Sequence, residues 1–124
     1  MDNIINISNI DNVNKKDSKI FIALSADYAN IGDVAITLVL EKMINQIFPD
    51  RKLIEIPMID YYKYKSKMQN VINKNDLITI IGGGNIGSVY IGAEERRRDI
   101  IKSFPDNKII SFPQSIDFEE KSII

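Results

Sequence analysis

The chain has 124 residues, of which 44% are hydrophobic and 27% charged, enough for one compact globular domain and unlike a disordered or membrane-spanning chain. It contains no Cys and no His. This excludes disulfides, thiolate and imidazole metal sites, Cys nucleophiles and His-based acid–base schemes within the chain. A net charge of -1 gives no electrostatic basis for binding nucleic acid or an anionic membrane.

Residues 1–18 are predicted to be a polar amino-terminal tail, and residues 19–124 a single Rossmann-like domain. The tail lacks the basic and apolar regions of a secretory signal, and no apolar run reaches the length of a membrane span. These features predict a soluble, cytoplasmic protein. Ile4, Ile7, Ile10 and Val13 recur at every third position, which fits either an amphipathic turn docked on the domain or a disordered segment.

Short apolar runs predict strands, and segments with helical periodicity alternate with them. The predicted strands are Lys19–Ser25, Lys52–Pro57, Asp76–Ile81 and Lys108–Phe112. The first helix carries an apolar stripe made of Ile36, Val39, Leu40, Met43, Ile44 and Ile47, and Asp33 is placed to cap it. A weaker stripe in the second helix comprises Tyr61, Tyr64, Met68, Val71 and Ile72. A third helix is predicted from about Ala93 to Phe104, and a further one begins within Asp117–Ile124.

The alternation of strands and helices predicts an α/β fold, with a Rossmann-like parallel sheet and flanking helices. In such sheets, ligands bind beyond the carboxyl ends of the strands, on the loops that lead into helices. Three of these loops have unusual sequences, namely Asn30–Asp33, Gly82–Tyr90 and Pro113–Ser115. We expect them to converge on one rim of the sheet.

Three consecutive glycines at the end of the third strand, Gly82, Gly83 and Gly84, leave backbone N–H groups unobstructed. They fit an anion cradle at a helix N-terminus, or a tight turn where helix and sheet pack closely. Gly82, Gly84 and Gly87 also match G-x-G-x-x-G, but that dinucleotide fingerprint belongs after a first strand. It further needs an acidic residue at the end of the next strand, where this chain has Phe112-Pro113-Gln114.

The other polar motifs each have a structural and a functional interpretation. Asn30 and Gly32 can shape an anion-binding nest before a helix, and Asp33 can serve as its cap at the same time. Arg96-Arg97-Arg98 is mainly a solvated face with a Glu94–Arg98 pair, and at most two of the three arginines can point at the rim. The tyrosines with Lys63, Lys65 and Lys67 indicate core contacts with snorkelling lysines rather than a nucleic-acid patch.

Three segments, in this order and spacing, resemble the polysaccharide pyruvyl transferase family. They are Asn30-Ile31-Gly32-Asp33-Val34-Ala35-Ile36, then Gly82 through Tyr90, then Arg97 through the run Phe104-Pro105 to Phe112-Pro113-Gln114-Ser115-Ile116. The resemblance covers roughly residues 19–118. In the glycine-rich loop, Ser88 stands where the family commonly has Asp.

The resemblance implies a two-domain enzyme similar to GT-B glycosyltransferases, of exopolysaccharide biosynthesis. Such an enzyme transfers a pyruvyl group from phosphoenolpyruvate, as donor substrate, to a sugar hydroxyl of a cell-surface polysaccharide. It places the following substrate-binding residues in the inter-domain cleft: Asn30, Gly32, Asp33, Gly82, Gly83, Gly84, Asn85, Arg97, Gln114 and Ser115. It implies neither a metal nor a cofactor, and assigns no catalytic acid or base in this chain.

The resemblance also implies that donor-binding Arg and His groups come largely from a second, carboxyl-terminal domain. The chain alone, as an amino-terminal domain or a truncated fragment, is therefore expected to be inactive. The alternative hypothesis is a non-catalytic module that binds a nucleotide or another anion.

Overall fold

The computed structural model describes residues 4–25, 31–81, 83–86, 91–112 and 114–116, with the backbone alone for 31–33, 83–86, 91 and 114–116. The strands are β1 (Ile4–Asn6), β2 (Lys19–Ser25), β3 (Lys52–Pro57), β4 (Leu77–Ile80), β5 (Gly83–Ile86), β6 (Lys108–Ser111) and β7 (Gln114–Ile116). The α-helices are α1 (Ile31–Ile47), α2 (Tyr61–Val71) and α3 (Ile91–Ser103), and short 3-10 helices span Ile7–Asn12 and Met58–Asp60. The helix predicted after residue 116 lies outside the described residues.

Five strands form one parallel sheet in the order β1-β3-β2-β4-β6. Its central strand, β2, is buried along its whole length, as expected for a parallel sheet covered on both faces. The predicted α/β, Rossmann-like architecture is thereby confirmed. β2 and β3 have the bounds that their apolar runs predict, because such runs favour a strand with both faces buried.

Helices pack on both faces of the sheet and form two apolar cores. On one face, Tyr61 and Met68 of α2 and Ile100 of α3 pack with Phe21 and Ile54 of the sheet. On the other face, α1 contributes Ile44, which packs with a second set of strand residues comprising Ile20, Ile22 and Leu53. The weak apolar stripe predicted for α2 is confirmed by this packing.

The amino-terminal residues are part of this structure. β1 pairs with β3 in parallel, with Ile4 opposite Leu53. In the 3-10 helix that follows, Ile7 and Ile10 are fully buried in the core against α2 and β3. Of the two alternatives that the sequence left open for this segment, the structure shows the docked one.

A buried ion pair joins the amino ends of β2 and β4. Lys19 Nζ lies 3.0 Å from Asp76 Oδ2, and both side chains are fully buried. The ammonium also donates to the carbonyl oxygens of Lys15 and Asp17, at 2.9 and 2.8 Å, while Asp76 Oδ1 accepts from the Lys19 backbone N–H. Because each charge is matched by several bonds, the pair fixes the turn before β2 onto the sheet.

The apolar stripe predicted for α1 only partly faces the sheet. Of its six residues, Ile44 alone is buried, whereas Ile36, Val39, Met43 and Ile47 are 39%, 66%, 37% and 60% exposed. The buried face of α1 instead combines Ile44 with Thr37 and Glu41, so it is rotated relative to the stripe. Leu40 is partly buried against the second core, and Ile36, Val39, Met43 and Ile47 form an exposed flank of the helix.

In the part of the chain that the structure describes, no helix combines the length and the apolar character that crossing a membrane requires.

Candidate functional site

The connections of the sheet change direction between β2 and β4. From β2 the chain runs through α1 to β3 on one side, and from β4 it runs through α3 to β6 on the other. Ligands of open α/β sheets bind at such a switch point, beyond the carboxyl ends of the strands. Ser25 ends β2, and Ile81 directly follows β4.

Two of the three predicted loops meet at this end of the sheet as a short parallel ribbon. β5 pairs with β7, with Gly83 opposite Gln114 and Ile86 opposite Ile116. The sequence predicted loops here, whereas the structure shows strands at Gly83–Ile86 and Gln114–Ile116. β4 and β6 are neighbours, so the segments that continue them run side by side and pair through their backbones. The predicted site residues in this ribbon are Gly83, Gly84, Asn85, Gln114 and Ser115.

The other predicted backbone site lies at the start of α1. The helix begins at Ile31, so Gly32 and Asp33 belong to its first turn, and Asp33 is not the cap that precedes the helix. An acidic residue in a first turn is still favoured by the helix dipole. Asn30 and Gly82 lie outside the described residues, as do residues 87–90 and 113.

β2 ends in a bulge that no sequence motif predicts. Leu24 has a φ of 64°, in the left-handed region that side chains other than glycine rarely adopt. The pairing with β3 shifts there, because Ala23 and Ser25 lie opposite the consecutive residues Ile56 and Pro57. Bulges and strained residues are common next to ligand sites, where they change the direction of a side chain.

Ser25, just after the bulge, is fully buried, and its hydroxyl has no hydrogen-bond partner among the described residues. Thr79 offers a contrast on the neighbouring strand β4, since its buried hydroxyl donates to the Phe21 carbonyl at 3.3 Å. A buried hydroxyl without a partner is costly, so Ser25 stands out among the residues described at this end of the sheet. No sequence motif marks it.

The three arginines of α3 take three different positions. Arg97 is buried, with 6% exposure, and its Nη1 donates to Glu94 Oε2 at 2.5 Å. The Arg98 side chain is exposed and reaches Glu94 Oε1 at 3.2 Å, which confirms the predicted pair four residues apart. Arg96 lies 5.0 Å from the centroid of the Tyr62 ring. Arg97 is thus the arginine of this run that the structure holds inside the protein.

A polar network ties α2 to α3. The buried Tyr61 hydroxyl donates to Asp99 Oδ2 at 2.6 Å, and Lys65 Nζ donates to Asp99 Oδ1 at 3.0 Å. Burial alone would raise the pKa of Asp99, but the bonds from Lys65 and Tyr61 outweigh it and hold that pKa below its usual range. Burial, with the Asp99 carboxylate beside it, raises the pKa of Tyr61 well above that of a free phenol. The network fixes α2 against α3.

No group of three or more acidic side chains that could hold a metal ion is found within the described ranges. A Rossmann-like parallel sheet with glycines and helix starts beyond its strand ends places the chain in the class of open α/β folds, whose ligands bind at the switch point.

Comparison of the sequence with known protein families shows which family of this class the chain belongs to. The polysaccharide pyruvyl transferase model matches residues 30–123, which include all three α-helices and the β5–β7 ribbon. The chain therefore belongs to the polysaccharide pyruvyl transferase family, as its motifs predict.

Two relatives show how much of such a protein the chain represents. It is 40% identical over 104 residues to general stress protein 30 of Bacillus subtilis (strain 168), covering 82% of this chain and 30% of that protein. It is 28% identical over 100 residues to pyruvyl transferase 1 of Schizosaccharomyces pombe (strain 972 / ATCC 24843), covering 79% of this chain and 25% of that protein. The chain thus spans about a third or less of the length of these relatives.

Proposed function

We propose that this chain forms the Rossmann-like half of a cytoplasmic, GT-B-like enzyme that transfers a pyruvyl group from phosphoenolpyruvate to a sugar hydroxyl of a cell-surface polysaccharide. The observation that carries the proposal is the family match over residues 30–123. Those residues contain the segments at the switch point, where an α/β sheet binds its ligand.

The donor is a small dianion or trianion with a phosphate at one end and a carboxylate at the other. The first turns of α1 and α3 supply backbone N–H groups and the positive ends of two helix dipoles, which favour such groups. In the β5–β7 ribbon, Gly83 and Gly84 have no side chains to keep a ligand away from the backbone. Asn30 and Gly82 complete the proposed donor region from sequence.

Arg97 is the proposed source of positive charge. It lies in the second turn of α3, and its guanidinium is held by Glu94, which fixes its orientation. A guanidinium can offer two parallel donors to a phosphate or carboxylate, a geometry that suits either end of the donor. Because Arg97 is buried, that contact would form in a site shielded from water, where it is stronger than at the surface.

In ketal formation the methylene carbon of the donor takes a proton while one sugar hydroxyl adds to C2, and a second hydroxyl of the sugar then displaces phosphate from C2. An acid and a base must therefore be positioned near both substrates. This chain has no His, and its contribution in the proposed enzyme is to bind and orient the donor. The second domain of the proposed enzyme supplies the remaining Arg and His groups. The chain alone is therefore expected to bind anions without catalysing transfer.

The proposal is tested by titrating the 15N-labelled chain with phosphoenolpyruvate, NAD and UDP-glucose, and following amide chemical shifts. We expect shifts with phosphoenolpyruvate in α1, α3 and the β5–β7 ribbon. Tight binding of NAD with no response to phosphoenolpyruvate would favour the non-catalytic nucleotide-binding module and exclude the proposed donor.

Two variants with opposite expectations sharpen the test. R97Q should weaken phosphoenolpyruvate binding by about tenfold or more, since a hydrogen bond between charged groups contributes about 1.5–3 kcal/mol. R98Q is the matched control, because it removes a neighbouring arginine that shares the Glu94 partner but lies exposed. Equal affinity of R97Q and R98Q would remove Arg97 from the donor site.

A further inference from the structure

We infer that Ser25 is a ligand-binding residue, whose hydroxyl donates a hydrogen bond to an anionic oxygen of the donor at the switch point. This inference rests on the proposed function and adds to it a residue that no motif assigns. Three features of the described structure support it.

The first feature is the state of the hydroxyl. Ser25 is fully buried, and within the described part of the chain its Oγ has no hydrogen-bond partner. Nearly all buried polar groups in proteins are paired, and one that is not needs an explanation. A ligand that is present only during function explains it, since the hydroxyl then acquires its partner on binding.

The second feature is the backbone just before Ser25. Leu24 holds a left-handed φ of 64° although its own side chain is buried and branched. Such a conformation costs of order 1–3 kcal/mol and persists where the surrounding structure imposes it, often at ligand sites. The bulge places Ser25 opposite Pro57, where a regular ladder would place Leu24. The strain is thus located at the residue that sets the position of Ser25.

The third feature is the place in the fold. β2 is the central strand, and its carboxyl end borders the switch point with β4. The helix that follows, α1, has 17 residues, so its first turn carries a full helix dipole, which favours an anion. A neutral hydroxyl at the carboxyl end of the central strand adds a directed donor without adding charge.

The chemistry fits either end of the donor. A serine hydroxyl is both donor and acceptor, and the oxygens of a phosphate or carboxylate accept its proton in a short, charge-assisted bond. The common requirement is an oxyanion, which phosphoenolpyruvate, inorganic phosphate and pyruvate all provide. Comparing the three identifies which end of the donor the hydroxyl contacts.

The test uses the whole chain and the variant S25A. Because the hydroxyl has no partner to lose among the described residues, S25A should unfold at the same urea concentration as the parent or at a higher one. Its affinity for phosphoenolpyruvate should fall by about 10- to 100-fold, the effect of losing one hydrogen bond to a charged group. The same loss should appear with either phosphate or pyruvate in NMR titrations.

T79V is the matched control, because it removes a buried hydroxyl from the neighbouring strand that does have a partner. T79V should lower stability and leave the affinity for phosphoenolpyruvate unchanged. A structural role for Ser25 would make S25A resemble T79V.

Each outcome decides between the two proposals. If the parent binds phosphoenolpyruvate and S25A binds it equally well, the inference about Ser25 is wrong while the proposed donor stands. If the parent binds phosphate or pyruvate but not phosphoenolpyruvate, and S25A weakens that binding, Ser25 is an anion ligand and the proposed donor is wrong. If the parent binds none of the three, both proposals fail. Loss of stability in S25A equal to that in T79V also overturns the inference.

Discussion

Replacing Glu41 by glutamine should stabilise the fold at neutral and alkaline pH and leave its stability unchanged near pH 4. Glu41 lies on the sheet-facing side of α1, is 3% exposed, and its Oε1 has no hydrogen-bond partner among the residues that the structure describes. Burial, followed by the charge and the hydrogen bond of Glu55 on β3, raises the pKa of Glu41 to about 7 from the ordinary 4.5. The native protein thus holds a proton on Glu41 that the unfolded chain has already released at pH 6.

The sign of the effect follows from this difference in pKa. Between pH 4.5 and about 7 the unfolded chain loses its proton and the native protein keeps it, so the native state loses stability as the pH rises. Each pKa unit corresponds to about 1.4 kcal/mol, which gives a penalty on the order of 3 kcal/mol above pH 7. The glutamine side chain in E41Q has the size and neutrality of the protonated acid, so the variant escapes this penalty.

Urea unfolding, followed by far-UV circular dichroism at pH 4, 5, 6, 7 and 8, measures the difference in the free energy of unfolding between E41Q and the parent. Groups that titrate alike in E41Q and in the parent do not contribute to this difference. E55Q removes the neighbouring charge but leaves Glu41 buried. The pH dependence of its free energy of unfolding should therefore lie between those of the parent and E41Q. E95Q, at an exposed position of α3, serves as the control that changes charge alone. A stability difference for E41Q that is constant with pH, or largest at pH 4, would refute this reasoning.

Three further predictions concern stability and surface. D76N leaves the buried Lys19 ammonium without its counter-charge and should cost about 3–5 kcal/mol, seen as a large fall in the urea midpoint. Y61F removes the hydroxyl that bonds to Asp99 and should cost about 1.5–3 kcal/mol, measured as a lower melting temperature; no change would mean that water replaces the bond. V39K, on the exposed flank of α1, should change stability by less than about 0.5 kcal/mol and reduce binding of the dye ANS, whereas strong destabilisation would show that Val39 is packed.

The sheet was predictable because its strands are continuous apolar runs, as the bounds of β2 and β3 show. The orientation of α1 was not, because Thr37 and Glu41 share its buried face and helical periodicity counts only apolar residues. Lys19 and Asp76 are the first residues of two predicted strands, and charged residues are mostly exposed, so the sequence alone does not pair them. Only the fold brings these charges, 57 positions apart, into one buried pair.

The candidate site was predictable in its location but not in its local structure. Glycines and helix starts at strand ends indicate a ligand site in any parallel sheet. The pairing of Gly83 with Gln114 depends on backbone hydrogen bonds between distant segments, which have no side-chain pattern. The left-handed backbone conformation of Leu24 likewise could not be predicted from the sequence. Leucine ordinarily avoids that conformation, and no neighbouring residue in the sequence requires it.

The position of β1 at one edge of the sheet has a consequence for folding during synthesis. β1 leaves the ribosome before the other strands of the sheet, but its partner β3 follows only after β2 and α1 have been made. Until then Ile7 and Ile10, which end up fully buried, have no core to enter. The amino-terminal segment must therefore remain extended or be shielded while the centre of the sheet forms. A bulky tag fused immediately before Ile4 would act on this late docking step, so a flexible spacer at that junction should raise the yield of folded protein.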